Sequence, residues 1–506
     1  MRGSTAKTFA TFALLAYASF AGIAAATPPR AAVPRFSFDT VLAEARLRAA
    51  SAYQRRRNDV PRWIARLNPD QYRSIEFKPA ADIWLRGDSP FRLEVLPVGY
   101  RFQAAVRILT VEDGVAHDVP ATPSMFDFGA SVPRPPANAA IPLSGFRLRG
   151  RINSKKAWDE FLVFQGASYF RAVARGEAYG LSGRGLAIDT ASPAGEEFPS
   201  FTHFWIERPT RKSGDVVIYG LLESPSTTGA YRFTVKPGTA TVMDVEATLF
   251  PRKDLRNYGI APLTSMFLFD ETNRGLMDDY RPEVHLSDGL QITTDSGEHV
   301  WRPLANPAKL QISAFTTAAP LGFGLIQRSR RQSDFEDLDA HYERCPSAWI
   351  EPKSGFGAGA VELVEIPSGR ETNDNIDAFF QPARTLRRGQ AAHFAYRLTW
   401  LAQPQLPRGL GMVVATRSGA SLDGRRRVFQ IDFVGAGDRT AGMHVAVSAS
   451  SGGISNVMLL SNPAMHGVRA SFELAPNGAD LIELRLQIMR AGRPVTETWL
   501  YRWTAR

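Results

Sequence analysis

The chain has 506 residues and is 44% hydrophobic, 22% charged and 10% aromatic; this globular composition excludes whole-chain disorder, and the length favours two domains over one core. Its single cysteine, Cys345, cannot close an intramolecular disulfide and excludes a zinc site built on several thiolates. The formal charge of +10 is scattered in small clusters (Arg55–Arg57, Arg328–Arg331, Arg425–Arg427) with no nucleic-acid-binding motif, so it reads as solvated basic surface.

In chain order, Arg2 and Lys7 precede an apolar run from Phe9 to Ala26, and Ala24-Ala25-Ala26 supplies the small residues that a signal peptidase requires. The run is short and Ala-rich and no stop-transfer pattern follows, so the expectation is a signal peptide over residues 1–26, removed on Sec export, rather than a membrane anchor. Its removal lowers the formal charge by two. No later stretch is long and apolar enough to span a bilayer. Phe38 to Arg57 is rich in Ala, Leu, Glu and Arg and predicts a helix, with Asp39 as its cap.

Beyond it the hydrophobic period changes to two. Tyr231–Val235 alternates, Lys236-Pro237-Gly238 supplies a turn, and Thr241–Phe250 alternates again, which predicts a hairpin with one buried face. Phe91–Phe102 and Val216–Leu222 predict further strands. Ala157–Ala167 fits either a helix or a buried strand. In the last third, Val428–Phe433, Met443–Ser448, Ala470–Leu474, Ile482–Met489 and Thr498–Trp503 are short strands punctuated by Gly, Asn and Pro, the pattern of an immunoglobulin-like sandwich. With 41 glycines and 34 prolines supplying turns, the fold class is all-β. The prolines at 404 and 407 mark a boundary, giving a large domain over 34–402 and a smaller one over 409–506.

Gly355–Gly359 and Gly180–Gly185 lack the spacing of dinucleotide or phosphate loops and read as turns or strand bends. The histidines show no metal-ligand spacing, and no nucleophile elbow is present. Three segments join acids to aromatics: 195–209, 277–289 and 370–380. Cleavage of a glycosidic bond needs two carboxyl groups, a proton donor and a base or nucleophile, beside aromatic faces on which sugar rings pack, so these loops are candidate sites; turn and cap formation is the competing reading of the same residues.

Several long blocks resemble the osmoregulated periplasmic glucan biosynthesis proteins G and D. They are Phe164–Ala172, Tyr179–Thr190, Gly195–Pro199, Phe204–Pro209, Arg281–His285, Arg302–Leu304, Gly322–Gln327 and Glu371–Ile376. The resemblance covers nearly the whole mature chain. It implies a large N-terminal β-sandwich carrying a cleft, joined to a smaller C-terminal immunoglobulin-like β-sandwich, and a periplasmic role in making glucans with a β-1,2-glucose backbone. Some members of the family resemble inverting enzymes of glycoside hydrolase family 186, and some relatives transfer glucan rather than hydrolyse it. No metal or organic cofactor is implied. The partners implied are the β-1,2-glucan itself and a membrane glucosyltransferase, and the basic surface is alternatively suited to anionic lipid or an acidic, modified glucan.

By position, the resemblance makes Asp374 the general acid and sets Glu371, Tyr342 and Thr372 along the cleft. A working acid is protonated before it acts, and Glu371, three residues away, is the expected neighbour to favour that state. The family pattern His-Asp-Ser-Asp-Gly reads His285-Leu286-Ser287-Asp288-Gly289 here, so the expected general base is replaced by Leu286. Asp288 is the candidate substitute, pointing to the same face as Leu286 if the segment is an extended strand. A family Arg-Pro reads Cys345-Pro346. Three outcomes stay open: hydrolysis through Asp288, transfer to a sugar hydroxyl, and binding of glucan without cleavage.

Overall fold

Alternation of side chains decides the architecture, since a strand that buries every second residue needs a facing sheet. The computed structural model describes residues 35–54, 60–275, 277–404 and 406–505; the expected signal peptide and Arg55–Arg57 lie outside them. One sheet of ten strands runs, in spatial order, through Phe91–Pro97, Leu143–Gly150, Asp159–Gln165, Tyr169–Ala172, Ser182–Arg184, Tyr258–Ser265, Ile376–Pro382, Gly359–Glu365 and Gln311–Thr317, with Ala187–Ile188 paired at its side. A fifteen-stranded sheet faces it. Phe146, Phe164 and Phe170 from the first sheet meet Phe201, Phe204 and Phe233 from the second, with ring centroids 5.1 Å apart for Phe146–Phe204 and Phe164–Phe233. Edge-to-face contact of this kind adds to the area already buried. The all-β sandwich expected from the sequence is what the chain forms.

The predicted hairpin is present as Thr227–Lys236 and Thr241–Pro251, in register from Thr227↔Pro251 to Lys236↔Val242. The ambiguous segment is a strand, Asp159–Gln165. Its period was illegible because a register shift beside Arg149 lets Phe161 and Leu162 both bury. The N-terminal helix is shorter than expected: it spans Phe38–Ala50 and stops where Ser51 turns extended. Ser37, not Asp39, is the cap residue, and the Thr40 hydroxyl accepts from the Ser37 N–H at 3.3 Å; Asp39 lies in the first turn, where its charge suits the helix dipole. Val41 and Ala45 bury the helix against Leu109, Trp205 and Tyr219 on the outer face of the fifteen-stranded sheet.

In the last hundred residues a four-stranded sheet, ordered Met412–Ala420, Arg427–Val434, Gly467–Ala475 and Gly453–Asn462, covers Met443–Ala449, Leu481–Arg490 and Thr498–Thr504. Phe429, Phe472 and Trp499 fill the space between. The latter three strands also continue the large sheet, because Val300 and Trp301 pair in parallel with Thr498 and Trp499. The hydrogen-bond ladder therefore crosses from one sandwich to the other, and Phe36–Arg506 is one compact unit.

Candidate functional site

The ten-stranded sheet turns Leu93, Phe146, Phe170, Leu263 and Ala378 into the core, so the residues between them share its opposite face. Directly opposed pairs carry polar groups across that face: Glu94↔Arg147, Tyr169↔Arg184, Ser182↔Thr264 and Thr264↔Asp377. Glu94 is fully buried beneath Arg147 and Arg149, which both pair with it. Arg184, 2% exposed, is held by Glu196 at 2.6 Å and Asp377 at 3.5 Å, and its guanidinium lies 5.2 Å from the ring centres of both Tyr169 and Phe198. Phe198 itself is 52% exposed, an apolar ring held over a buried cation.

Asp374 sits at one end of this face, in the loop between Gly359–Glu365 and Ile376–Pro382. Its side chain is 36% exposed and one oxygen lies 3.9 Å from Arg171, which in turn donates to Ser182 at 2.6 Å. The loop is pinned by the residue after it. Buried Asn375 accepts from the Phe267 N–H at 2.9 Å and donates to the Phe267 carbonyl at 2.9 Å and the Ile366 carbonyl at 3.0 Å. The carboxyl coupled to Asp374 is Asp377: burial raises the Asp377 pKa, Arg184 lowers it, and the Asp374 charge raises it further. Burial likewise pushes the Tyr169 hydroxyl up to about 12.

Glu371 and Tyr342 are brought together, the Tyr342 hydroxyl donating to Glu371 at 3.1 Å. Arg281 joins them: it binds Asp279 through two nitrogens at 3.0 and 2.8 Å, and reaches Asp337 and Glu371 at 2.8 Å each. Forked guanidinium contacts of this kind fix direction as well as charge. Two of the three acid-and-aromatic segments thus converge through Arg281–Glu371, and the third joins through Glu196–Arg184–Asp377. Thr372 lies exposed in the same loop.

Asp288 stands apart from this group. The chain bends at 286 and 288, between the strands Val284–His285 and Gly289–Thr293, so the extended geometry behind the strand-based placing of Asp288 is absent. Leu286 packs beside Met266, Phe335 and Tyr342. Asp288 faces His285 Nδ1 at 3.2 Å, and its other oxygen accepts the backbone N–H groups of Arg328 at 2.5 Å and Ser329 at 2.8 Å. It lines a separate cavity of about 370 Å³ with Asp270, Glu283 and residues of the Met412–Ala420 strand. Burial pulls the His285 pKa down there, but Asp288 and Glu283 outweigh it and hold it up at about 9. His285 stacks on Phe267, 5.4 Å between ring centres, and so backs the residue that Asn375 clamps.

Cys345 is buried, its thiol 3.6 Å from the Tyr179 carbonyl and pushed up to about 12 by burial. Sequence reasoning did not single out Arg171, Arg184 and Asn375, which fall in blocks that carry the resemblance but in none of the predicted strands, and it held Asp377 only as one acid of the 370–380 segment. Among the described residues no group of three or more His, Cys, Asp or Glu is arranged to hold a metal ion, and no helix is long and apolar enough to cross a membrane.

Residues 36–503 match the family model described as "Periplasmic glucan biosynthesis protein, MdoG". The chain is 46% identical over 473 residues to "Glucans biosynthesis protein G" of Shewanella sp. (strain W3-18-1), covering 93% of this chain and 87% of that one. The same identity and coverage hold for the protein of that name in Shewanella baltica (strain OS195). "Glucans biosynthesis protein G 1" of Shewanella oneidensis is 45% identical over 495 residues, covering 94% and 91%.

Proposed function

Since the chain belongs to the periplasmic glucan biosynthesis family, we propose that it acts on a β-1,2-linked glucan laid along the polar face of the ten-stranded sheet, with Asp374 as the proton donor. The observation that carries this is the setting of Asp374: a part-exposed carboxyl at the end of a strip of arginines, carboxylates and aromatic rings, on a loop clamped by buried Asn375. Asp374 gives its proton to the glycosidic oxygen as the C1–O bond breaks. Arg281 holds Glu371 and, through it, Tyr342, so these groups meet the sugar hydroxyls in fixed directions. Phe198 over Arg184 offers a face to a pyranose ring. Thr372 is a further hydroxyl contact.

The incoming oxygen decides between outcomes. In an inverting reaction a base takes a proton from water on the far side of the sugar, some 6.5–9.5 Å from the acid. Leu286 cannot accept that proton, and Asp288 is engaged by His285 and two backbone N–H groups. With no placed base, the attacking oxygen, whether of water or of a sugar hydroxyl, must give its proton to solvent, and a glucan chain bound beside Asp374 supplies sugar hydroxyls at high local concentration, which favours transglycosylation with inversion. The same observation favours a second reading, in which the protein binds and presents glucan to a membrane glucosyltransferase without cutting it, the sandwich over 409–506 serving as the contact surface. Both readings set the mature protein in the periplasm after loss of residues 1–26.

Incubation of the purified protein with linear β-1,2-glucan, followed by chromatography, separates them. New longer or cyclic chains support transfer and shorter chains support hydrolysis. An unchanged substrate with retained binding removes the enzymatic reading and leaves the second.

A further inference from the structure

An unpaired strand edge offers a row of N–H and C=O groups to any other strand, so edges are ordinarily short, charged, interrupted by proline or covered. Most edges of this molecule follow that rule. Phe91–Pro97 carries Arg92 and Glu94, ends in proline, and is bridged by Ile83 at Leu93. Val115–Asp118 has four residues, and its Asp118 pairs with Arg107 at 2.6 Å. Gln311–Thr317 is held at the Ile312 carbonyl by Arg502. Met412–Ala420 lies against the large sandwich, with Thr272 donating to the Thr416 carbonyl and Arg328 to the Val413 carbonyl.

Gly453–Asn462, the last strand of the four-stranded sheet, has none of these devices. Among the described residues no strand pairs with its outer side, and it contains neither proline nor a charged side chain. From Thr440 to Val468 the chain holds no Asp, Glu, Lys or Arg, although 22% of its residues are charged. That stretch also includes Met443–Ala449, the terminal strand of the facing sheet. Ile454 and Leu459 turn inward onto the core of the small sandwich. A register irregularity between Ser455 and Met458, with Asn456 at a φ of 51°, breaks the alternation. Val457, Met458 and Leu460 consequently all lie outward, 43%, 49% and 48% exposed. The charges one strand further in are already paired, Arg469 with Asp432 at 2.7 Å and Glu473 with Arg426 at 2.9 Å.

We propose that this strand is a docking edge for a second copy of the chain, Gly453–Asn462 pairing antiparallel with itself across a twofold axis so that the four-stranded sheets of two copies form one continuous sheet. Charge selects the occupant. At +10 overall, two copies repel unless they meet where neither carries charge, and an acidic or basic partner finds no counter-charge on this strand. An antiparallel ladder is its own complement under a twofold rotation. It sets Val457, Met458 and Leu460 of one copy against the same set in the other, while the main-chain hydrogen bonds supply the hold. The contact uses none of the groups proposed to handle the glycosidic bond and does not rest on the glucan reading.

The test is sedimentation of the full mature chain at rising concentration, at low and at high salt, with hydrogen exchange followed on the same samples. The expected result is a monomer–dimer equilibrium that tightens as salt screens the repulsion between copies, with the amides of 453–462 exchanging more slowly as concentration rises. Met458→Lys, a substitution at an exposed position that brings like charges together, raises the dissociation constant about tenfold or more and leaves the unfolding midpoint of the monomer in place; Met458→Leu keeps the dimer. A chain that stays monomeric at every concentration and salt overturns the proposal. So does a dimer that is indifferent to Met458→Lys, that shows no slowed exchange over 453–462, or that loosens as salt rises. Capture of the wild-type monomer, but not of Met458→Lys, by phosphatidylcholine vesicles gives the strand a lipid surface as its occupant and likewise overturns it.

Discussion

At the scale of single residues, the account turns on position 286. Leu286 packs against the cluster that holds Tyr342, at the position where the resemblance implies an acid. Leu286→Asp puts a proton acceptor against the cluster that holds Tyr342, and the expected outcome is a rise in hydrolysis of linear β-1,2-glucan of about 10² or more, the range typical of a placed base. An unchanged or lower rate in a reducing-end assay counts against that placement. The same residue shows the limits of the sequence. The acids of the 370–380 block were legible because motif and chemistry agreed. What steadies them was not, since Arg184 and Asp377 are 193 positions apart and meet only through sheet pairing. The placing of Asp288 rested on an extended segment, and the bends at 286 and 288 that replace it are signalled by no alternation of side chains.

At the scale of elements, strands with strict alternation were readable from end to end, as in Thr227–Lys236 and Thr241–Pro251. Asp159–Gln165 was not, because its bulge buries two neighbours in succession. The helix was overrun at its C-terminal end since Arg and Ala suit helix interiors while Ser51 sets the stop. The loop bearing Asp374 is the element whose stiffness the proposed chemistry needs. Asn375→Ala leaves the Phe267 N–H and carbonyl buried without their partner, at a cost of about 1–3 kcal/mol for each unpaired group. The expected outcome is a lower unfolding midpoint in urea with a larger loss in kcat than in glucan affinity. A variant that loses stability while keeping kcat argues that the clamp does not serve the acid.

At the scale of the molecule, the buried charges around His285 join the two sandwiches. His285 faces Glu283 at 3.0 Å and Asp288 at 3.2 Å, beside Asp270 and the Met412–Ala420 strand. Its folded pKa of about 9 exceeds the ordinary 6.5, so the stability it contributes is full below pH 6.5 and is lost as pH rises through about 9. Burial, opposed in part by His285, raises Asp270 to about 6, and its contribution is lost earlier, from pH 3.8 upward through 6. Thermal unfolding at pH 6.5 and 9.5 should show the wild type losing on the order of 1–3 kcal/mol, with His285→Gln losing less over the same interval; equal losses contradict the assignment. The measurement that bears most directly on the whole account is turnover of β-1,2-glucan by Asp374→Asn, with glucan binding followed in parallel. The account predicts that product formation falls by a factor of about 10² or more while the dissociation constant stays within a few-fold of wild type. Undiminished turnover would remove Asp374 from the chemistry and contradict the proposal at its centre.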